Sequence, residues 1–271
     1  MTFNGAVFVY YKIKFLCLKH YKIPVMQILG IDVGGSGIKG AIVDTSTGEL
    51  ITEKFRLKTP KPAKPEKVAK KIKQLVDHFN WKGKVGAGFP TPLAHGKCMS
   101  GGNLHPEWKG VHVNELFSEA TGLDFTVIND ADAAAEAEMH FGAGKDKKGL
   151  VAVITLGTGI GSGLFFNGAL IPNTELGHTT YKNEAFEKYA ADSIRKKEDL
   201  SYAKWGKRLH KYFKHIELIL SPDLFIIGGG ASSKMHKFKD YIHIETPIIP
   251  AENQNEAGII GAAMGAFDGI K

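Results

Sequence analysis

A glycine-rich bend occurs twice in this chain, each time interrupting an apolar run. The first is Asp32-Val33-Gly34-Gly35-Ser36-Gly37-Ile38-Lys39-Gly40, reached from the run that starts at Gln27. The second is Leu156-Gly157-Thr158-Gly159-Ile160-Gly161-Ser162-Gly163, reached from Leu150–Thr155. An apolar run on both sides of a tight glycine turn predicts two strands folded back on each other. The same local unit recurs, with helices and further strands after each copy. That predicts two similar α/β lobes facing each other across a cleft.

Between the bends the pattern is regular. Ile38–Val43 and Leu50–Leu57 continue an antiparallel meander, with a turn at 44–48. Pro60, Pro62 and Pro65 then break the chain. Pro65 suits the first turn of a helix, where its missing N–H costs nothing. Val68, Ile72, Leu75 and Phe79 follow at helical spacing and predict its buried face. Lys84–Gly88 and Phe125–Ile128 read as strands, Val113–Ala120 as a helix capped by Gly122, and Ala131–His140 as a helix rich in Ala and Glu. In the second half, Trp205, Leu209, Phe213, Ile216 and Leu220 mark a helix. Leu224–Ile227 is a buried strand, and Glu256–Phe267 is a final helix with Ala and Gly at close-packing positions. The expected division is a small lobe over 26–128, to which the helix at 256–271 returns, and a large lobe over 129–255. Residues 1–25 read as an extension, poorly ordered or packed as an accessory, and carry no assigned chemistry.

Composition narrows the partners. The net charge of +7 favours polyanionic ligands. Only Cys17 and Cys98 are present, which excludes a disulfide framework and a Cys-rich zinc site and suits a reducing, cytoplasmic setting. Lysines at 12, 14 and 19 interrupt the apolar bursts of the extension, leaving no run of roughly 20 residues able to span a membrane. Further basic clusters lie at Lys145, Lys147 and Lys148, at Arg195–Lys197, and from Lys204 to Lys214. Such runs are most often solvated faces, but their concentration in the second lobe is where a phosphate donor is expected.

Chemistry gathers around the bends. Glycine lets a phosphate touch backbone N–H groups that a side chain would screen. Gly34, Gly35, Ser36, Gly37 and Lys39 form one candidate phosphate cradle. Gly157, Thr158 and Gly159 form a second, with the Thr158 hydroxyl free to donate. Either bend alone is equally satisfied by a plain hairpin turn; their pairing is what points to phosphate. Neither matches a P-loop, and the first opens a strand rather than a helix, which excludes a dinucleotide fingerprint. Gly229 and Gly230 follow a buried strand and permit close approach of a flat base or a phosphate. Asp32 suits magnesium held through water. Asn129-Asp130 ends a strand of apolar residues, so both emerge at a sheet's carboxyl edge. There Asp130 can accept the proton of an attacking hydroxyl while Asn129 orients the acceptor. The same pair also reads as a helix cap, and Asp132 reads as a complement to the helix dipole. Glu175 and His178, three apart beside a turn, suit vicinal sugar hydroxyls; a metal pair there lacks a third ligand.

Together these stretches, with Pro172-Asn173-Thr174-Glu175-Leu176-Gly177-His178 and Ile128-Asn129-Asp130-Ala131-Asp132-Ala133-Ala134, resemble the ROK sugar kinases of the actin-like ATPase (ribonuclease H-like) superfamily, over roughly residues 26–268. The polyphosphate glucokinase branch is the most similar. The resemblance implies transfer of a terminal phosphoryl group from inorganic polyphosphate, or also ATP, to the 6-hydroxyl of glucose with magnesium. An ATP-dependent hexokinase of the same family is the alternative. It implies Asp130 as catalytic base and Asn103, Asn129, Glu175, His178 and Glu187 as sugar ligands. The Cys-rich zinc segment of most members is absent, so zinc is not expected, and Ala135 stands where the family pattern has Gly. A homodimer is the family expectation. Repressors that share this core carry a DNA-binding helix-turn-helix ahead of it, for which residues 1–25 are too short and too apolar, so nucleic acid is not expected as a partner.

Overall fold

The computed structural model describes residues 26–102, 104–252 and 256–270. The chain runs β1 (Gln27–Val33), β2 (Gly37–Asp44), β3 (Phe55–Lys58), α1 (Pro65–His78), β4 (Val85–Phe89), a short hairpin of β5 (Leu93–Ala94) and β6 (Lys97–Cys98), α2 (Val113–Thr121), β7 (Phe125–Asn129) and α3 (Asp130–Phe141). It continues through β8 (Leu150–Leu156), β9 (Ile160–Phe166), β10 (Ala169–Ile171), a second short hairpin of β11 (Thr180–Tyr181) and β12 (Glu184–Ala185), α4 (Glu187–Ala190), α5 (Asp192–Lys197), α6 (Tyr202–Leu220), β13 (Leu224–Gly228), β14 (Ile248–Pro250) and α7 (Ala257–Asp268).

The two main sheets have the same plan. One is ordered β3-β2-β1-β4-β7 and the other β10-β9-β8-β13-β14. In each, three antiparallel strands are followed by two parallel ones. Each glycine bend joins the first two strands of its sheet. The duplication expected from the bends is therefore a duplication of whole sheets.

Five layers result. α1 and α2 cover one face of the first sheet: Val68, Ile72, Leu75 and Phe117 pack with Ile31, Val33 and Val85. α6 covers the outer face of the second, where Trp205, Leu209 and Phe213 meet Ile154, Phe225 and Ile227. α3 and α7 lie between the sheets and against each other. Their Ala and Gly content makes this possible. A Cβ on Gly261 of α7 would collide with the carbonyl of Ala133 in α3, and one on Gly86 of β4 with that of Ala262. On the other side, Gly163 of β9 leaves room only for the methyl of Ala135. Backbones thus pack in direct contact, which larger side chains would prevent.

The third strand is shorter than the apolar pattern suggests. Leu50 makes one isolated bridge to Val43. The Ile42 amide then donates to the hydroxyl of Thr52 at 3.0 Å instead of to a backbone carbonyl, so the ladder breaks and pairing resumes at Phe55. α3 starts one residue earlier than expected, at Asp130, because the Asn129 side chain caps it. Gly122 ends α2 in the left-handed conformation, φ 75°. Among the described residues no helix is long and apolar enough to cross a membrane. Cys98 is buried and free. Cys17, Asn103 and the extension over 1–25 lie outside the described residues.

Candidate active site

A cleft of about 710 Å³ opens between the sheets, floored by the start of α3. Into it the fold brings Asp32, Gly34, Gly35 and Lys39 from the first bend, Gly157, Thr158 and Gly159 from the second, Asn129 and Asp130 from the end of β7, and Glu175, His178, Glu187 and Gly229. Thr91, Ser100, Glu138, Thr155 and Ser232 add further polar side chains to the lining, and Gly258 of α7 borders it. Gly102, immediately before Asn103 in the chain, lines it as well.

Three of the proposed phosphate residues are not part of this lining. Ser36 is exposed at the tip of the first turn. Gly37 faces away, with the Arg56 guanidinium occupying the space a Cβ would need. Gly230 follows Gly229 out of the cleft. Gly229 itself, φ 75°, lies against the backbone of Leu156, so only glycine fits there.

The bends are pinned from outside the cleft. Gly34 N donates to Gly37 O at 2.9 Å, and the Thr59 hydroxyl donates to Gly34 O at 2.6 Å. In the second bend, Gly157 N donates to Gly159 O at 3.1 Å. The first turn of α5 holds it there: Ser193 gives its amide to Gly157 O and its hydroxyl to Thr158 O.

Strand register explains the charges. β1 and β2 pair Asp32 with Lys39, and their side chains form an ion pair at 2.7 Å. Lys39 therefore reaches the cleft as the partner of Asp32. Asp32 in turn lies close enough to Asp130 for its charge to raise the Asp130 pKa. Two neighbouring carboxylates with one lysine leave negative charge at a point reached from both bends. That oxygen-rich donor set fits magnesium, with water completing its shell.

Asn129 and Asp130 divide the roles the sequence left open. The buried Asn129 caps α3, its Oδ1 accepting from Ala131 N at 2.8 Å and Asp132 N at 3.3 Å. Asp130, freed from capping, opens into the cleft. Although its surface is accessible, protein walls surround it and thin the hydrating water. That desolvation, followed by the charge of Asp32, pushes its pKa from 3.8 up to about 6. A carboxylate so tuned is a better proton acceptor than an ordinary aspartate and is still ionised near neutral pH.

Opposite Asp130, His178 stands between two acids. Nδ1 is 3.8 Å from Glu175 and Nε2 is 3.7 Å from Glu187. Burial raises the Glu175 pKa, and the neighbouring histidine lowers it in part. Glu187 also accepts from Ile160 N at 3.3 Å, so it bridges the second bend and the histidine. The three form a row of donors and acceptors along one wall.

Asp132 stands in the first turn of α3, as a dipole complement should, and does more: it is 1% exposed and its Oδ2 accepts from Asn173 N at 2.8 Å. The basic clusters are also less free than their runs suggest. Arg195 pairs with Asp192 at 2.7 Å and Arg208 with Glu198 at 2.6 Å, while both guanidinium groups stack on tyrosine rings, Tyr202 and Tyr189.

Two repeated α/β lobes enclosing one cleft define the actin-like ATPase fold, which solved sugar kinases share. A family model described as the ROK family matches residues 28–197, and the chain belongs to that family. The polyphosphate glucokinase of Mycobacterium tuberculosis is 47% identical over 236 residues, covering 87% of this chain and 89% of that protein. The polyphosphate glucokinase of Mycobacterium leprae is 43% identical over the same length, covering 87% and 73%. Among solved structures, the inorganic polyphosphate/ATP-glucomannokinase of Arthrobacter sp. strain KM matches with a TM-score of 0.83 at 42% identity, covering 90% of this chain and 99% of that one.

Proposed function

We propose that this protein is a polyphosphate-dependent glucokinase. Asp130 carries the reading: a carboxylate at the start of α3, held where both glycine bends and the Glu175–His178–Glu187 wall converge, with its pKa raised to about 6. Glucose sits along that wall with its 6-hydroxyl toward Asp130. The hydroxyl oxygen forms a bond to the terminal phosphorus as the bridging P–O bond breaks, and Asp130 takes the hydroxyl proton. The products are glucose 6-phosphate and a polymer one unit shorter. The transition state is loose, so position and charge neutralisation supply most of the rate. Backbone N–H groups of the two bends and the Thr158 hydroxyl hold the donor's terminal oxygens. When bound beside Asp32, magnesium neutralises donor charge. Closure around the sugar would exclude water as a competing acceptor.

The choice of polymer rests on the relatives of matching length and on the chain's net positive charge. A single assay tests it: purified protein, glucose and magnesium, with ATP and polyphosphate offered separately and glucose 6-phosphate measured. Polyphosphate is expected to give the faster reaction at low ionic strength. Equal or faster turnover with ATP favours a nucleotide-dependent hexokinase, and no product with either donor overturns the kinase reading.

A further inference from the structure

Three segments that meet at the cleft are joined by a short hydrogen-bonded tie. It starts at Asp132, two residues after the base on α3, whose Oδ2 accepts from Asn173 N at 2.8 Å. Asn173 continues it, its side-chain Oδ1 accepting from Leu93 N at 2.8 Å. Leu93 opens the β5–β6 hairpin, and Pro92 just before it lines the cleft. Asn173 stands two residues ahead of Glu175, with φ 59°. The tie thus links the helix that carries Asp130, the loop that carries Glu175 and His178, and the facing wall of the first lobe.

The arrangement is costly for packing alone. Asp132 is almost fully buried, and its Oδ1 has no partner among the described residues. A carboxylate in such a place loses most of its hydration for one amide bond. Burial accordingly raises its pKa to about 7. The same loop is fixed on its other side by Ser162, whose hydroxyl donates to Thr174 O and accepts from Leu176 N at 2.9 Å. Ser162 belongs to the strand leaving the second bend, whereas the Asp132–Asn173–Leu93 tie makes no hydrogen bond to either bend among the described residues.

We propose that Asp132 and Asn173 are positioning residues for the acceptor sugar: their tie sets the Glu175–His178 loop at a fixed place relative to Asp130 and to the β5–β6 wall. This inference rests on the reading that Glu175 and His178 bind glucose. Loosening the tie leaves every sugar-binding group present but misplaced, so glucose affinity falls while donor affinity does not.

Two variants separate this from a structural role. Asn173→Gly removes the side chain while accepting the positive φ, and Asp132→Ala removes the anchor. Each is expected to raise both the glucose KM and the glucose Kd, measured calorimetrically without donor, by on the order of tenfold, the effect of one lost buried hydrogen bond. The donor KM should stay within about twofold. Asp132→Asn keeps an oxygen for the Asn173 amide and should bind glucose close to wild type. Glucose affinity within about twofold of wild type in Asn173→Gly overturns the proposal, even if Asp132→Ala fails to fold. Equal changes in glucose and donor KM overturn it too. Glu175→Gln is the control for the underlying reading: if it binds glucose as wild type does, the sugar site itself is wrong, whereas its loss of binding beside an unaffected Asn173→Gly rejects the tie alone.

Discussion

Replacing His140 with glutamine should destabilise the fold by an amount that vanishes in alkaline solution. His140 lies in the last turn of α3, with Nε2 3.1 Å from Glu136 on the same helix and 3.0 Å from Asp268 at the end of α7. It clasps the two central helices at the end away from the cleft. Hydrogen bonds to Asp268 and then Glu136 raise its pKa from 6.5 to about 9, against the opposing effect of burial. A folded-state value above the unfolded one means that the protonated ring favours folding. That contribution is complete below pH 6.5 and is lost as pH rises through about 9. The whole shift would be worth about 3 kcal/mol. The ring is 32% exposed and Asp268 34%, so solvent screening reduces this to about 1–2 kcal/mol. Urea unfolding of both proteins at about pH 6 and about pH 9.5 measures the gap, and comparing them at each pH cancels the titrations they share. The gap should be about 1–2 kcal/mol at the lower pH, or about 2–8 °C in Tm, and below about 0.5 kcal/mol at the higher. A gap of equal size at both would show that His140 acts by packing and not by charge.

Asp130→Asn should cut turnover to below about a hundredth of wild type while glucose still binds. In the wild type, kcat/KM should fall about tenfold per unit below about pH 6 with either donor, because the base must be ionised; a rate flat to about pH 4 would remove the role given to Asp130. Gly261→Ala drives a methyl into the carbonyl of Ala133 and should cost at least about 2 kcal/mol, seen as a Tm lowered by about 4–8 °C; an unchanged Tm would mean the helix seam can widen freely. The KM for polyphosphate should rise steeply with added salt while that for glucose stays level; a salt-independent polymer KM would show that the basic surface takes no part.

What the sequence disclosed was the contiguous part of the candidate site, the stretches that the fold brings to one cleft. Both glycine bends, the acid at the end of β7, and the Glu175–His178 pair are each written within a few residues, and the apolar runs beside them fix the strands. The repetition of whole sheets followed from the repetition of the bends. What stayed hidden depends on partners far along the chain. Asp132 looked like a helix-dipole residue because Asn173 is 41 positions away, and Leu93 is another 80 from Asn173. His140 showed in the sequence only as the end of a helix; its partner Asp268 lies 128 positions on. Leu50–Ile51 carries a strand pattern, and only the hydroxyl of Thr52 diverts the Ile42 amide from the ladder. The two-residue strands of the short hairpins are too brief to show any period. The first turn of α5 supports the second bend through Ser193, which no pattern in the sequence marks.

The backbone-to-backbone seam of α3 and α7 also decides how this molecule can move. Gly258, near the start of α7, abuts the carboxylate of Asp32, and Asp130 begins α3, so both acids sit at the seam, where a pivot between the lobes would lie. A lever turning there sweeps its far ends through several ångströms while points at the fulcrum scarcely shift. In the proposed kinase, closure about this seam would bring the jaws over a sugar and a long anion while Asp130 keeps its aim.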